Sequence, residues 1–157
     1  MKLLSFVVYV LLQVLCLPLL IVGVSLAAYR QIVVSKRLGL SQTAIEVIQA
    51  RWTMDRFGIR SDPDTVRLTN VLPNASPVGL WLVFFPLWVK YRLCGDLFLY
   101  PTVPAVGSEG LLNFLIARTL YIDRMIRSTI TRVEQVVVLG AGYDMRCNHV
   151  ENFSGQC

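Results

Sequence analysis

From Leu3 to Ala28 the chain carries no charged side chain, and the polar residues in that run are Ser5, Gln13 and Ser25. No other feature restricts the fold as much. A helix that is apolar all round belongs in lipid or in a large core. At 1.5 Å per residue such a helix crosses a hydrocarbon core of about 30 Å, and Pro18 would kink it without forbidding it. A cleavable signal peptide competes, because Lys2 gives a basic start and Ser25-Leu26-Ala27 resembles a small-x-small cleavage site; the apolar run is too long for a typical h-region, however. A core helix also competes, although an all-round apolar stretch at an N-terminus is seldom one. The reading adopted is a retained single-pass membrane anchor, residues 1–34 with its flank. Arg30, Lys36 and Arg37 follow the run, against Lys2 and the amino group before it. The positive-inside tendency then puts the C-terminal body in the cytoplasm.

Composition agrees with a lipid-bilayer partner. The 157 residues are 55% hydrophobic and only 16% charged, below the roughly 25% of a soluble domain. The net charge of +5 is dispersed, with no basic block or aromatic-basic interleaving, so a nucleic-acid partner is not indicated. A mild attraction to anionic membrane surface fits better. The single histidine leaves no Ser-His-Asp arrangement to argue for. The four cysteines show no C-x-x-C spacing, and Cys147 with His149 does not make a closed metal site.

After the anchor, Gly39-Leu40-Ser41 reads as a break and an N-cap, and Thr43 to Phe57 as an amphipathic helix stopped by Gly58. Ser61-Asp62-Pro63-Asp64 is a turn or cap signal, and Asn70 to Pro77 a loop. Val78 to Val89, with Trp81, Phe84, Phe85 and Trp88, is a second apolar block. It is too short to span a bilayer and is interrupted by Pro86. An interfacial helix on the membrane is preferred there over a core helix or a lid. Tyr100 to Pro104 breaks the chain again. A long helix opens near Ser108 and ends near Ser128 to Thr131, with Leu111, Leu115, Arg118 or Thr119, Ile122, Ile126 and Ile130 on one face. Asp123 and Arg127 stand four apart in the favourable order, so a helical ion pair is expected for Asp123. Arg51, on the first of these helices, reads from its position as an arginine snorkelling over the apolar face; Arg118 reads either as a carboxylate-gripping residue or as an exposed polar-edge arginine.

Val136 to Val138 reads as a buried parallel strand leading into Gly140-Ala141-Gly142, a turn at which a ligand can approach bare backbone. Nucleotide-type cofactors bind at that point in open α/β sheets, although an ordinary strand-to-turn exit has the same short pattern. Asp144 stands near where a third glycine of a dinucleotide fingerprint would be needed, which argues against NAD or FAD.

The longer string Val136-Val137-Val138-Leu139-Gly140-Ala141-Gly142-Tyr143-Asp144-Met145-Arg146 resembles the first motif of the leucine carboxyl methyltransferase-like family, with Met145 in place of the usual threonine. Ala117-Arg118-Thr119-Leu120-Tyr121-Ile122-Asp123 resembles the family's Ala-Arg-Thr-x-x-Ile-Asp, and Ser41-Gln42-Thr43-Ala44 with Ala50-Arg51 resembles its N-terminal helix. The resemblance covers roughly residues 39 to 146. It implies an S-adenosylmethionine-dependent O-methyltransferase with a Rossmann-like α/β fold. It assigns Arg118 and Arg51 to the cofactor's carboxylate, and Gly140, Ala141, Gly142 and Asp144 to the rest of the cofactor-binding turn. On this reading residues 35–132 are a helical region and 133–157 the start of the Rossmann-like domain. The chain itself is expected to be mainly α, with one transmembrane helix and only the first strand of the sheet. The acid that would hold the cofactor's ribose falls beyond Cys157, so the expectation is an incomplete enzyme, with a non-catalytic membrane protein as the alternative.

Overall fold

The computed structural model describes residues 2–95, 111–139 and 142–146. Regular structure among the described residues is helical throughout, as the mainly α expectation requires. The chain divides into two compact units that interleave in sequence. The first takes Met1–Gln42 and Asn70–Pro101, and the second takes Thr43–Thr69 and Thr102–Cys157.

In the first unit, α1 (Lys2–Leu15) and α2 (Leu17–Ala28) replace the single long helix expected from Leu3 to Ala28. The boundary is Cys16, at φ −91° and ψ 9°, with Pro18 in the first turn of α2. Proline has no N–H and its ring collides with the carbonyl four residues back, so the helix restarts here. Beyond α2 the helical path continues through a π-helical stretch, Tyr29–Val34, into α3 (Ser35–Leu38), and Gly39 at φ 64° ends it. Leu17–Leu38 is, among the described residues, one helix long and apolar enough to cross a membrane; Leu4–Leu15 is a shorter apolar helix. The apolar side chains of Leu17, Ile21, Val22 and Val24 are more than half exposed.

α4 (Gln42–Arg56) and α5 (Pro63–Val71) lie next in the chain, and α6 (Pro77–Cys94) belongs again to the first unit. Pro86 was expected to interrupt α6, yet the helix runs through it for 18 residues. Its start is well set: Pro77 occupies the first turn, and the Ser76 hydroxyl accepts a hydrogen bond from the Gly79 N–H at 3.1 Å. α6 packs on α2 through bare backbone. A Cβ built on Gly79 would lie 2.9 Å from the Gly23 carbonyl oxygen and 3.0 Å from the Ala27 nitrogen, and one on Gly23 would lie 2.7 Å from the Leu82 Cβ. Two polar clasps hold the entry to α6. Arg30 Nη1 donates to the Pro73 carbonyl at 2.9 Å, and Asn74 Nδ2 donates to Ser35 Oγ at 3.0 Å.

The second unit is built on α4, α5 and α7 (Leu111–Thr129), with a 3₁₀ turn at Ile130–Arg132. α4 buries Ile45, Ile48, Trp52 and Met54, close to the expected face, and Gly58 at φ 68° follows it. The buried face of α7 is rotated from the expected one. Ile116, Thr119, Asp123 and Ile130 are buried while Ile122 is only half-buried. Ion pairs made by Asp123 turn this polar residue inward.

The expected strand is corrected. Val133 to Leu139 forms no strand, and Val137 and Leu139 are 68% and 88% exposed. Only Val136 tucks in, against Ile130. An extended segment becomes a buried strand when a neighbouring strand takes up its backbone groups in a ladder, and among the described residues this segment is paired in no strand ladder.

Candidate functional site

The second unit encloses a closed ring of six alternating charges. Arg51 on α4 pairs with Asp62, Asp62 with Arg60, Arg60 with Asp123 on α7, Asp123 with Arg146, Arg146 with Asp144, and Asp144 with Arg51 again. Three guanidiniums and three carboxylates leave the ring formally neutral. Their side chains range from fully buried at Asp62 to 16% exposed at Asp144. At such burial each unpaired charge would be costly, so pairing in both directions around the ring is what makes the arrangement tolerable.

Local chemistry explains each position. Arg51 lies on the face of α4 that also buries Ile48 and Trp52, so its guanidinium is drawn inside. Its Nε donates to Asp62 Oδ2 at 3.0 Å and its Nη1 to Asp144 Oδ1 at 2.9 Å. Asp62 precedes Pro63 and caps α5, accepting from the Thr65 N–H at 3.2 Å, while its own N–H donates to Asp55 Oδ1 at 2.8 Å. Its second oxygen is shared by Arg51 and Arg60. Asp123 receives Arg60 on one oxygen and Arg146 Nε on the other, the latter at 2.8 Å. Asp144 accepts from the backbone N–H of Arg146 at 3.0 Å and also receives that residue's guanidinium, which folds the segment just after the glycine turn onto itself. Gly142 stands at φ 57°, a left-handed conformation that suits glycine.

Burial alone would raise the carboxyl pKa of Asp62, but the guanidiniums of Arg51 and Arg60 and the bonds from Thr65 outweigh it and hold the group below its ordinary value. Asp123 follows the same pattern. Burial pushes it up, and hydrogen bonds from Arg146 and Arg60 with their charges bring it below the ordinary value. Both acids are therefore ionised at neutral pH, in keeping with the closed ring. Two donors remain unused. Arg51 Nη2 and Arg60 Nη2 are buried without a hydrogen-bond partner; Arg51 Nη2 lies 3.0 Å from Asp62 Oδ2, an ion-pair distance without hydrogen-bond geometry.

Of the residues singled out from sequence, the ring brings Arg51 and Asp144 together, 93 positions apart in the chain, and Gly142 stands two residues before Asp144. Arg118 is exposed on α7 and makes none of the ring's ion pairs. Gly140 and Ala141 lie outside the described residues. The pairing expected between Asp123 and Arg127 is corrected, since the oxygens of Asp123 are taken by Arg60 and Arg146. Arg60, Asp62 and Arg146 had no electrostatic role in the sequence reading. Asp62 was visible only as a cap and Arg146 only as a letter of the glycine motif. Among the described residues no group of three potential metal ligands occurs.

The comparison with known families falls on the stretch that carries the glycine turn and half of the ring. Residues 100–155 match the leucine carboxyl methyltransferase family model. That relates the chain to methyltransferases, a family that implies use of S-adenosylmethionine. The matched stretch contains Arg118, Asp123, Asp144 and Arg146, while Arg51, Arg60 and Asp62 come from outside it. No curated protein matches the chain, and no solved structure does.

Proposed function

We propose that this chain is a membrane-attached S-adenosylmethionine-dependent methyltransferase acting on an oxygen nucleophile. The observation that carries the reading is the family-matched glycine turn, with Gly142 in a left-handed conformation and the next residues pinned by Asp144 and Arg146. S-adenosylmethionine supplies an electrophilic methyl group on a sulfonium. When bound, it would allow an O–CH₃ bond to form as the S–CH₃ bond breaks, leaving a neutral thioether and releasing the acceptor's proton to solvent. Proximity and orientation supply most of the acceleration in such a displacement.

The chain's own side chains suit the cofactor's amino-acid end. Arg118 presents an exposed guanidinium able to grip a carboxylate through two parallel hydrogen bonds. Arg51 is committed to Asp62 and Asp144 and offers a carboxylate only its unused Nη2. Gly140, Ala141 and Gly142 would face the cofactor with backbone, and Asp144 would set the turn. Attachment to the bilayer is supported by Leu17–Leu38, long and apolar enough to cross it. The basic residues Arg30, Lys36 and Arg37 favour a body on the cytoplasmic side.

A second reading, a non-catalytic membrane protein, is favoured by one observation: Val137 to Leu139, just before the turn, lie exposed and form no strand among the described residues. Titration calorimetry of the full chain in detergent separates the two. Saturable S-adenosylmethionine binding that weakens in Arg118→Ala supports the enzyme. Absence of binding at millimolar cofactor refutes it and leaves the non-catalytic reading.

A further inference from the structure

Within the second unit the glycine turn is held from the side that follows it. Before it, Val137 and Leu139 are exposed, and among the described residues no strand ladder fixes them. After it, the chain is fixed at Gly142, Asp144 and Arg146. A Cβ built on Gly142 would meet the Cβ of Ala44 at 3.7 Å, so the turn lies against the first turn of α4. Asp144 Oδ1 receives Arg51 Nη1 at 2.9 Å, and Arg146 Nε donates to Asp123 Oδ1 on α7 at 2.8 Å. Ala44 and Arg51 are seven residues apart, so they share one face of α4, about 10 Å from each other. The segment from Gly142 to Asp144 is thus laid along α4, with the glycine at one end and the carboxylate at the other.

Arg51 suits this holding task better than contact with a ligand. Its side chain is 2% exposed. Nε and Nη1 are bonded to Asp62 and Asp144, and Nη2 lies buried 3.0 Å from Asp62 Oδ2. Asp62 is itself set by the Asp55 carboxylate and the Thr65 N–H, so the guanidinium reaches Asp144 already oriented. We infer that Arg51 is a positioning residue: acting through Asp144, it presets the glycine turn for S-adenosylmethionine and does not itself touch the cofactor's carboxylate. This rests on the methyltransferase reading above. It replaces the role that the resemblance assigns to Arg51 and leaves the carboxylate to Arg118. The gain is preorganisation, since a turn already in shape spends no binding energy on being ordered. It also makes the turn, inside the family-matched residues 100–155, depend on a helix that lies outside them.

Two measurements on the full chain in detergent test it. Hydrogen exchange reads the turn without ligand. Arg51→Lys keeps the charge but replaces a fork that meets two carboxylates by a point charge. In it the Arg146 amide, bonded to Asp144 Oδ1 at 3.0 Å, should exchange faster while the amides of α7 keep their rates. Calorimetry then compares S-adenosylhomocysteine with 5′-methylthioadenosine, which has the same sulfur and nucleoside but no carboxylate. Arg51→Lys, Arg51→Ala and Asp144→Ala should each weaken both ligands alike, by about tenfold for the one charge-assisted bond lost. Arg51→Ala/Asp144→Ala should be no weaker than the worse single variant. Arg118→Ala should weaken S-adenosylhomocysteine more than methylthioadenosine. Unchanged exchange at Arg146 overturns the inference whatever the ligands do. Arg51 variants that weaken only S-adenosylhomocysteine also overturn it, because Arg51 then binds the carboxylate, and the methyltransferase reading stands. Faster exchange throughout α4 and α7, with an unchanged dissociation constant in the folded fraction, overturns it as well, since Arg51 then only stabilises the unit. If the alanine variants fail to fold, Arg51→Lys carries both readouts. A wild-type chain that binds neither ligand refutes the methyltransferase reading and this inference together.

Discussion

Replacing Asp123 by Asn is the most informative single change in the second unit. The carboxylate is the one acid that bridges Arg60 and Arg146 directly in the ring, and all three side chains are at least nine-tenths buried. Asparagine keeps the shape and one acceptor, but removes the charge and turns an NH₂ group toward one of two guanidiniums. The ring then carries three cations against two anions with water excluded. Removing one member of a buried ion pair costs about 3–5 kcal/mol, mainly through the charge left behind. With a urea slope of about 2 kcal/mol per M, the midpoint should fall by about 2 M. Trp52, 1% exposed on α4, reports unfolding of this unit by fluorescence in a Trp81→Phe/Trp88→Phe background. The ring also makes a comparative demand. Adding Arg60→Gln to Asp123→Asn should recover part of the loss, with a coupling of about 0.5–3 kcal/mol, since the second change removes a charge the first has stranded. A loss below about 1 kcal/mol for Asp123→Asn, or strictly additive losses in the double variant, would refute the closed ring.

The depressed carboxyls of Asp62 and Asp123 set an acid limb. Their contribution is complete above the ordinary carboxylate value of 3.8 and is lost as pH falls through their lower folded values, so stability measured from pH 6 downward should drop more steeply in the wild type than in Asp123→Asn. Gly79→Ala places a methyl group against the Gly23 carbonyl and the Ala27 nitrogen, neither of which can swing aside; separation of α2 from α6 should cost at least about 1–3 kcal/mol, read as a lower thermal midpoint in detergent, whereas Gly58→Ala has open space around it and acts only through its backbone conformation. Expression in a glycosylating cell should leave Asn74 unmodified even if the segment were lumenal, because its side chain is fully buried and bonded to Ser35; glycosylation at Asn74 in folded protein would contradict the packing of the first unit.

Local signals in the sequence carried most of the helical layout. Gly39, Gly58 and Gly95 stand at positive φ at or just beyond helix ends, and the sequence reads Gly39 as a break and Gly58 as a stop. Thr43 to Phe57 was one residue from the observed α4, because the apolar spacing and the glycine agreed. Pro86 misled for a physical reason: a proline removes one hydrogen bond, but a helix whose sides are held by α2 tolerates the loss. The strand failed because strand formation is decided by a neighbour, which no local run of valines can supply. The candidate site was half legible. Arg51 and Asp144 were picked from motif resemblance, but their mutual bond spans 93 positions and no periodicity encodes it. Asp123 offered a partner four residues away, and the nearest partner in sequence was not the partner in space.

The ring also orders events in time. Arg51, Arg60 and Asp62 emerge early in synthesis, and alone they are two cations around one anion. Asp144 appears 93 residues after Arg51, which at about 5–20 residues per second is roughly 5–20 s later. Over the second half of that interval α2 and α6 already have everything they need to pack, since the last residue of α6 is Cys94. The two helices can thus pack together while the charged unit is still open. Newly made chain should resist protease first along α2 and α6, and only on release of Asp144 and Arg146 around Arg51.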